Sequence, residues 1–226
     1  MKLALNQLKN NFQVRLFTLD MHYPKTPAFY VSLILLICII GCNRSKKLKD
    51  KELVSDPRNI NSYVQDNIRA FLSAAIDKDG KVNDSLQVQY SEVLQDFYEN
   101  REYQPAWCDT GIWHLQAARL MTYLDTAERD GLFKADYQYN RMLQLKQSMD
   151  ADSVKRKDAV SWAKADILFS DAFMHILADL GQGRLQPDSN SWKHDTAKFT
   201  RYFRKNLDRF LHGESLDSVW KQVQPN

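Results

Sequence analysis

Three cysteines and five histidines bound the covalent and metal chemistry open to this chain. Cys108, in Trp107-Cys108-Asp109, has His114 six residues on. A cysteine nucleophile needs a base within hydrogen-bond reach, and nothing in this spacing places His114 there. A free cysteine otherwise packs as a small hydrophobe. Asp171, His175 and Asp179 recur at i, i+4 and i+8, so on a helix they share a face and offer carboxylate and imidazole, which suit zinc. No HExxH, no CxxC and no second ligand cluster completes such a site, and the same residues serve equally as helix-surface charge pairs. Gly181-Gln182-Gly183 follows a helical stretch instead of opening one, the wrong context for cradling phosphate. The residues therefore supply no catalytic set, no metal site and no cofactor site.

Cys42 invites a different chemistry. The run Val31–Cys42, VSLILLICIIGC, ends in Ile39-Ile40-Gly41-Cys42. Aliphatic residues, a small residue and then cysteine resemble a bacterial lipobox, in which Ile39, Ile40 and Gly41 are read by a signal peptidase and Cys42 carries the lipid. The apolar stretch from Ala28 to Gly41 is short of the ~20 residues that span a bilayer, but suits a signal-peptide core with Lys25 on its flank. An uncleaved anchor or a buried helix is the competing reading. Residues 1–41 are thus expected to be a lipoprotein leader, with Met21 a plausible true start.

Without the leader the charge balance changes. Residues 1–41 hold Lys2, Lys9, Arg15 and Lys25 against Asp20, so the chain's net +3 becomes zero. The pI of 8.6 is partly a property of the leader, and nucleic acid is excluded as the expected partner. Cys38 departs with the leader and Cys42 with the lipid, so Cys108 has no partner for an internal disulfide. What remains is one domain's worth of chain, long enough to bury a core.

Residues 42–58 read as a lipidated polar and basic tether: Arg44, Lys46, Lys47, Lys49 and Lys51 suit either solvent or anionic headgroups. Residues 59–226 read as a compact all-α domain of about six helices. Tyr63, Val64, Ile68, Phe71, Leu72, Ala75 and Ile76 recur at helical spacing from Ile60. Further helices are expected over 85–100, 112–129, 136–149, 153–180 and 196–212. The helix after 112 is closed by Asp130-Gly131, where glycine suits a left-handed cap. The fifth carries Trp162, Ile167, Leu168, Phe169, Phe173, Met174, Ile176 and Leu177 on most of its sides, which puts it in the middle of a bundle. In the sixth, Phe199, Phe203, Leu207 and Phe210 lie opposite Lys198, Arg201, Lys205 and Arg209, a solvated basic face.

Three segments go beyond composition: Phe97-Tyr98-Glu99-Asn100-Arg101-Glu102-Tyr103-Gln104-Pro105-Ala106-Trp107; Thr126-Ala127-Glu128-Arg129-Asp130-Gly131-Leu132 with Asp136-Tyr137; and Ala165-Asp166-Ile167-Leu168-Phe169-Ser170-Asp171-Ala172-Phe173, running on to Leu180, Gly183 and Pro187. Their order and spacing resemble the helical scaffold domain of the large periplasmic L,D-transpeptidases (YcbB-like), over residues 60 to 226. On that resemblance Tyr98, Arg101, Tyr103, Pro105, Trp107, Gly131, Leu132, Asp166, Asp171, Gly183 and Pro187 are structural motif positions. Tyr103, Pro105 and Trp107 form an aromatic-proline elbow able to bury large apolar area.

The departure from the family matters as much. Its members continue into a peptidoglycan-binding module and a catalytic domain with a Ser-His-Gly-Cys nucleophile motif, which this sequence lacks. Cys108 lies inside the elbow and is not that nucleophile. The resemblance therefore implies a structural role in peptidoglycan cross-linking or remodelling, as a truncated remnant or as the partner of a separately encoded catalytic domain. A general envelope lipoprotein acting as a helical interaction module is the alternative. Expected partners are the membrane, through the lipid, and a catalytic L,D-transpeptidase domain or peptidoglycan itself. Asn43 is not the aspartate that marks inner-membrane retention, which favours the outer membrane, and the basic tether lacks the acidic run that resembles a cell-surface sorting signal, which favours the periplasmic side.

Overall fold

The computed structural model describes residues 48–84, 86–182 and 196–220. Cys42 with its lipobox, Gly183 and Pro187 lie outside those residues. Seven α-helices are present among them: α1 (Ile60–Asp77), α2 (Ser91–Asn100), α3 (Leu115–Asp125), α4 (Tyr139–Ala151), α5 (Ala159–Gln182), α6 (Thr196–Leu211) and α7 (Leu216–Trp220). Two short antiparallel ribbons pair β1 (Lys81–Asn83) with β2 (Leu86–Gln87), and β3 (Cys108–Asp109) with β4 (Ile112–Trp113). The fold is predominantly helical, and no described helix is long and apolar enough to cross a membrane.

Helix α5 is the hub. Ala163, Ile167, Leu168, Phe169, Phe173, Met174, Ile176 and Leu177 are all buried, so the helix is enclosed on nearly every side. Helix α1 packs along it through Val64, Ile68, Phe71 and Leu72, and α6 closes another flank with Phe203, Leu207 and Phe210. Each large side chain removed from water contributes about 1.5–3 kcal/mol. Tyr63 and Ile76, counted in the α1 stripe from their spacing, are instead exposed at its edges.

Helix α5 also begins later than its apolar pattern suggests, at Ala159 instead of 153. Asp158 is extended and nearly buried; its Oδ2 accepts from Ser161 Oγ at 2.6 Å and its Oδ1 from the backbone N–H of Glu52 at 2.7 Å. The chain is docked here before Ile60. Glu52 O accepts from Ala159 N, Val54 N donates to Lys157 O, and Asn67 Nδ2 donates to Glu52 Oε2. The packed structure thus reaches back into the segment expected to be tether.

One strand of each ribbon, β2 and β4, replaces sequence that reads as the start of a helix. Leu86 and Val88, two residues apart, are buried with Val82, so this segment follows the strand period of two. Gly80 (φ +82°) brings its carbonyl to Val88 N at 2.9 Å, and a Cβ there would stand 2.3 Å from Val88 O. Helix α2 consequently starts at Ser91. In the second ribbon Thr110 (φ +49°) and Gly111 (φ +77°) form a two-residue turn with positive φ at both positions, the type I′ geometry that matches strand twist. Asn61 holds it, accepting from Thr110 N and donating to Asp109 Oδ1. Helix α3 therefore begins at Leu115. Gly131 (φ +72°) closes the 3₁₀ turn after α3, accompanied by buried Leu132.

Candidate functional site

The last turn of α2 leads into a tight elbow. Glu102 (φ +55°) and Tyr103 (φ +61°) both adopt left-handed backbone, which costs an L-residue roughly 1–2 kcal/mol each. Local contacts hold them there. Tyr103 N donates to Tyr98 O at 2.7 Å, and the Tyr103 hydroxyl accepts from Gln95 Nε2 while its ring lies under the Arg69 guanidinium. Arg101 folds back over Phe97 and donates to the carbonyls of Gln104 (2.9 Å) and Pro105 (3.1 Å). The elbow thereby delivers Ala106 and Trp107 to α5 in one orientation.

There Asp166, fully enclosed on α5, receives them. Its Oδ1 accepts from Ala106 N at 2.8 Å and from the Tyr98 hydroxyl at 2.6 Å, and its Oδ2 accepts from Trp107 N at 2.9 Å. Ser170, one turn on, accepts from Trp107 Nε1 at 2.8 Å and lies 2.8 Å from the Tyr98 hydroxyl. Burial pushes the Asp166 carboxyl up, and the hydrogen bonds from Tyr98, Ala106 and Trp107 oppose that. The Trp107 ring packs on Phe169, Phe173 and Phe210, which links elbow, α5 and α6. Tyr98, Arg101, Tyr103, Pro105, Trp107 and Asp166 thus meet in one junction. Gly131, Leu132 and Asp171 stand elsewhere in the fold. Ser170 is the member of the junction that the motif positions omit; its signal is a polar residue four positions from Asp166, on the same face of the helix.

Cys108 follows directly and is 2% exposed. Its Sγ lies 4.0 Å from Asp166 Oδ2. Burial, and then the charges of Asp166 and Asp109, push the thiol well above its ordinary range. His114 has another partner: its Nδ1 lies 3.1 Å from Ala106 O, an acceptor only, so Nδ1 carries the proton. The pair does not form a thiolate–imidazole site: the polar contact of the thiol is the Asp166 carboxylate, and the His114 Nδ1 is spent on a backbone carbonyl.

The carboxylate–histidine series on α5 also separates. Asp171 Oδ1 accepts from Gln89 N (2.9 Å) and Tyr90 N (3.1 Å), ending the first ribbon and leading into α2. Burial raises its carboxyl to about 6. His175 Nε2 lies 3.5 Å from Asp179 Oδ2, which also accepts from the Tyr137 hydroxyl at 2.7 Å, and the imidazole stands edge-on to the Tyr137 ring. Among the described residues no group of three or more His, Cys, Asp or Glu could hold a metal ion. On α6, Arg209 is drawn into a bidentate pair with Glu214, whereas Lys198, Arg201 and Lys205 remain on the outer face. The junction is chemistry of position: it fixes a chain reversal against a helix and presents no nucleophile.

A protein-family model described as "Scaffold domain" matches residues 92–226, which include α2, the elbow, Cys108 and Asp166. No curated protein and no solved structure matches the chain.

Proposed function

Because this chain belongs to the scaffold domain family, we propose that it is a lipid-anchored helical support for peptidoglycan cross-linking that positions a catalytic L,D-transpeptidase unit and makes no cross-links itself. The observation that carries this reading is the junction at Asp166. The residues that resemble the transpeptidase scaffold motif, Tyr98, Arg101, Tyr103, Pro105, Trp107 and Asp166, are spent on holding a backbone reversal against α5. The thiol beside them is buried and raised against ionisation, the opposite of what a transpeptidase nucleophile requires.

The lipid belongs on Cys42, behind Ile39-Ile40-Gly41, and would hold the domain at the periplasmic face of the outer membrane. Two experiments test the proposal. Labelled fatty acid should enter the wild-type chain in a bacterial host and not Cys42→Ala. Purified protein should co-sediment with isolated sacculi, or with a transpeptidase catalytic domain loaded on them; failure of both would remove the wall connection and leave an envelope interaction module.

A further inference from the structure

A cleft lies on the flank of α5 opposite Asp166, where α4, the turn at 155–157 and β2 meet. It has a volume of about 380 Å³, within the range of small-ligand sites. Leu86, Leu145 and Leu168 give it apolar surface, and Arg141, Lys155 and Lys164 give it three cations. No acidic side chain lines it. None of the three cations makes an ion pair within 4.0 Å among the described residues, although nine other pairs do form there.

This arrangement is built, not incidental. Lys164 is half-buried on the central helix, one turn before Leu168, so its stem is packed and its charge is held at the cleft. Arg141 is held in place: its Nη1 donates to Gln138 Oε1 at 3.1 Å, and Gln138 Nε2 donates to Gln87 O on β2 at 3.0 Å. Gln138 itself occupies left-handed backbone (φ +54°) to make that bridge. The acids close to them in sequence are engaged elsewhere: Asp152 Oδ1 by the N–H groups of Val154 and Lys155, Asp158 by Glu52 N and Ser161, and Asp166 by the elbow. Three like charges around one hollow repel one another, and an anion among them turns that repulsion into attraction.

We infer that this cleft binds a short acidic peptide, its carboxylates on Arg141, Lys155 and Lys164 and an apolar side chain over the leucines. A compact inorganic phosphate would satisfy the charge and leave the leucine surface uncovered, which favours the peptide. The guanidinium offers a planar fork for one carboxylate, and the lysines offer point charges for another.

The test is calorimetric titration of the full chain in detergent with N-acetyl-Glu-Leu-Glu-amide, with N-acetyl-Gln-Leu-Gln-amide and pyrophosphate as the other arms. The acidic peptide should bind, more weakly as salt is raised, and the neutral peptide should not. Lys164→Met, which keeps the aliphatic stem, should weaken binding about tenfold, the loss of one charge-assisted contact. Lys155→Gln, which changes only an exposed side chain, should weaken it about threefold or more and serves if Lys164→Met folds poorly. Equal binding of the neutral peptide, or unchanged affinity in both variants, would overturn the inference. Pyrophosphate binding more tightly than the acidic peptide would also overturn it, by assigning the cleft to phosphate.

Discussion

Replacing Asp166 by alanine removes the acceptor for two buried backbone donors at once. Ala106 N and Trp107 N have no other partner in the junction, whereas the Tyr98 hydroxyl keeps Ser170 Oγ at 2.8 Å and Asp166's own carbonyl at 3.1 Å. An unsatisfied buried donor costs about 1–3 kcal/mol, so Asp166→Ala should lose about 2–6 kcal/mol, before any cavity contribution. That is a large share of a stability that is typically ~5–15 kcal/mol in total. Asp166→Asn retains one oxygen, enough for Ala106 N and Tyr98, but sets an amide N–H₂ against Trp107 N; it also removes a buried charge. Its loss should be about half that of alanine. Tyr98→Phe orphans no backbone group and should cost about 1 kcal/mol. Urea unfolding followed by tryptophan fluorescence gives all three, with Trp107 reporting on the junction itself. The ranking Ala, then Asn, then Tyr98→Phe is the result expected. An Asp166→Ala variant within about 1 kcal/mol of wild type would refute the claim that this carboxylate holds the elbow.

Other perturbations follow from the same structure. Asp171 titrates near 6 in the folded chain against 3.8 for a free carboxyl, so the native state holds its proton the more tightly. Its contribution to stability is full below about pH 4 and declines as pH rises through about 6, by roughly 3 kcal/mol. Both backbone donors use Oδ1, so Asp171→Asn keeps them, and it should gain on wild type from pH 4 to 7 in urea midpoints; a constant difference would contradict this. Gly80→Ala meets Val88 O at 2.3 Å as well as a left-handed backbone and should cost about 3 kcal/mol or more, while Gly131→Ala, with open space at its Cβ, should cost only the ~1–2 kcal/mol of backbone conformation. Thermal melts of the two variants separate these. In a Cys38→Ser, Cys42→Ser background, Cys108 should react with a thiol reagent only on unfolding; rapid labelling of native protein would show an accessible, ionised thiol.

What was legible in the sequence was whatever burial alone dictates. The apolar stripes of α1 and α6, and the enclosed latter half of α5, are written in residue spacing because each must face the core. The first ribbon was not legible, since Leu86 and Tyr90, four residues apart, satisfy a helical stripe, while the strand alternation of Leu86 and Val88 is only two residues long; the approach of Gly80 to Val88 decides between them. The start of α5 was hidden for a similar reason: Asp158 and Ser161 are a helix-start signal, but the choice of Asp158 as its cap depends on Glu52, distant in sequence. The junction was half visible. Its residues stood out as a motif, yet Asp166 as the common acceptor of Ala106, Trp107 and Tyr98 emerges only when the elbow has folded back onto the helix.

The most direct test of a supporting and non-catalytic role is muropeptide mass spectrometry of sacculi incubated with the purified full chain. The account predicts an unchanged profile, with no new 3–3 cross-linked dimers, from a protein that nonetheless sediments with the wall. New 3–3 dimers formed by the chain alone, and lost in Cys108→Ala, would contradict it.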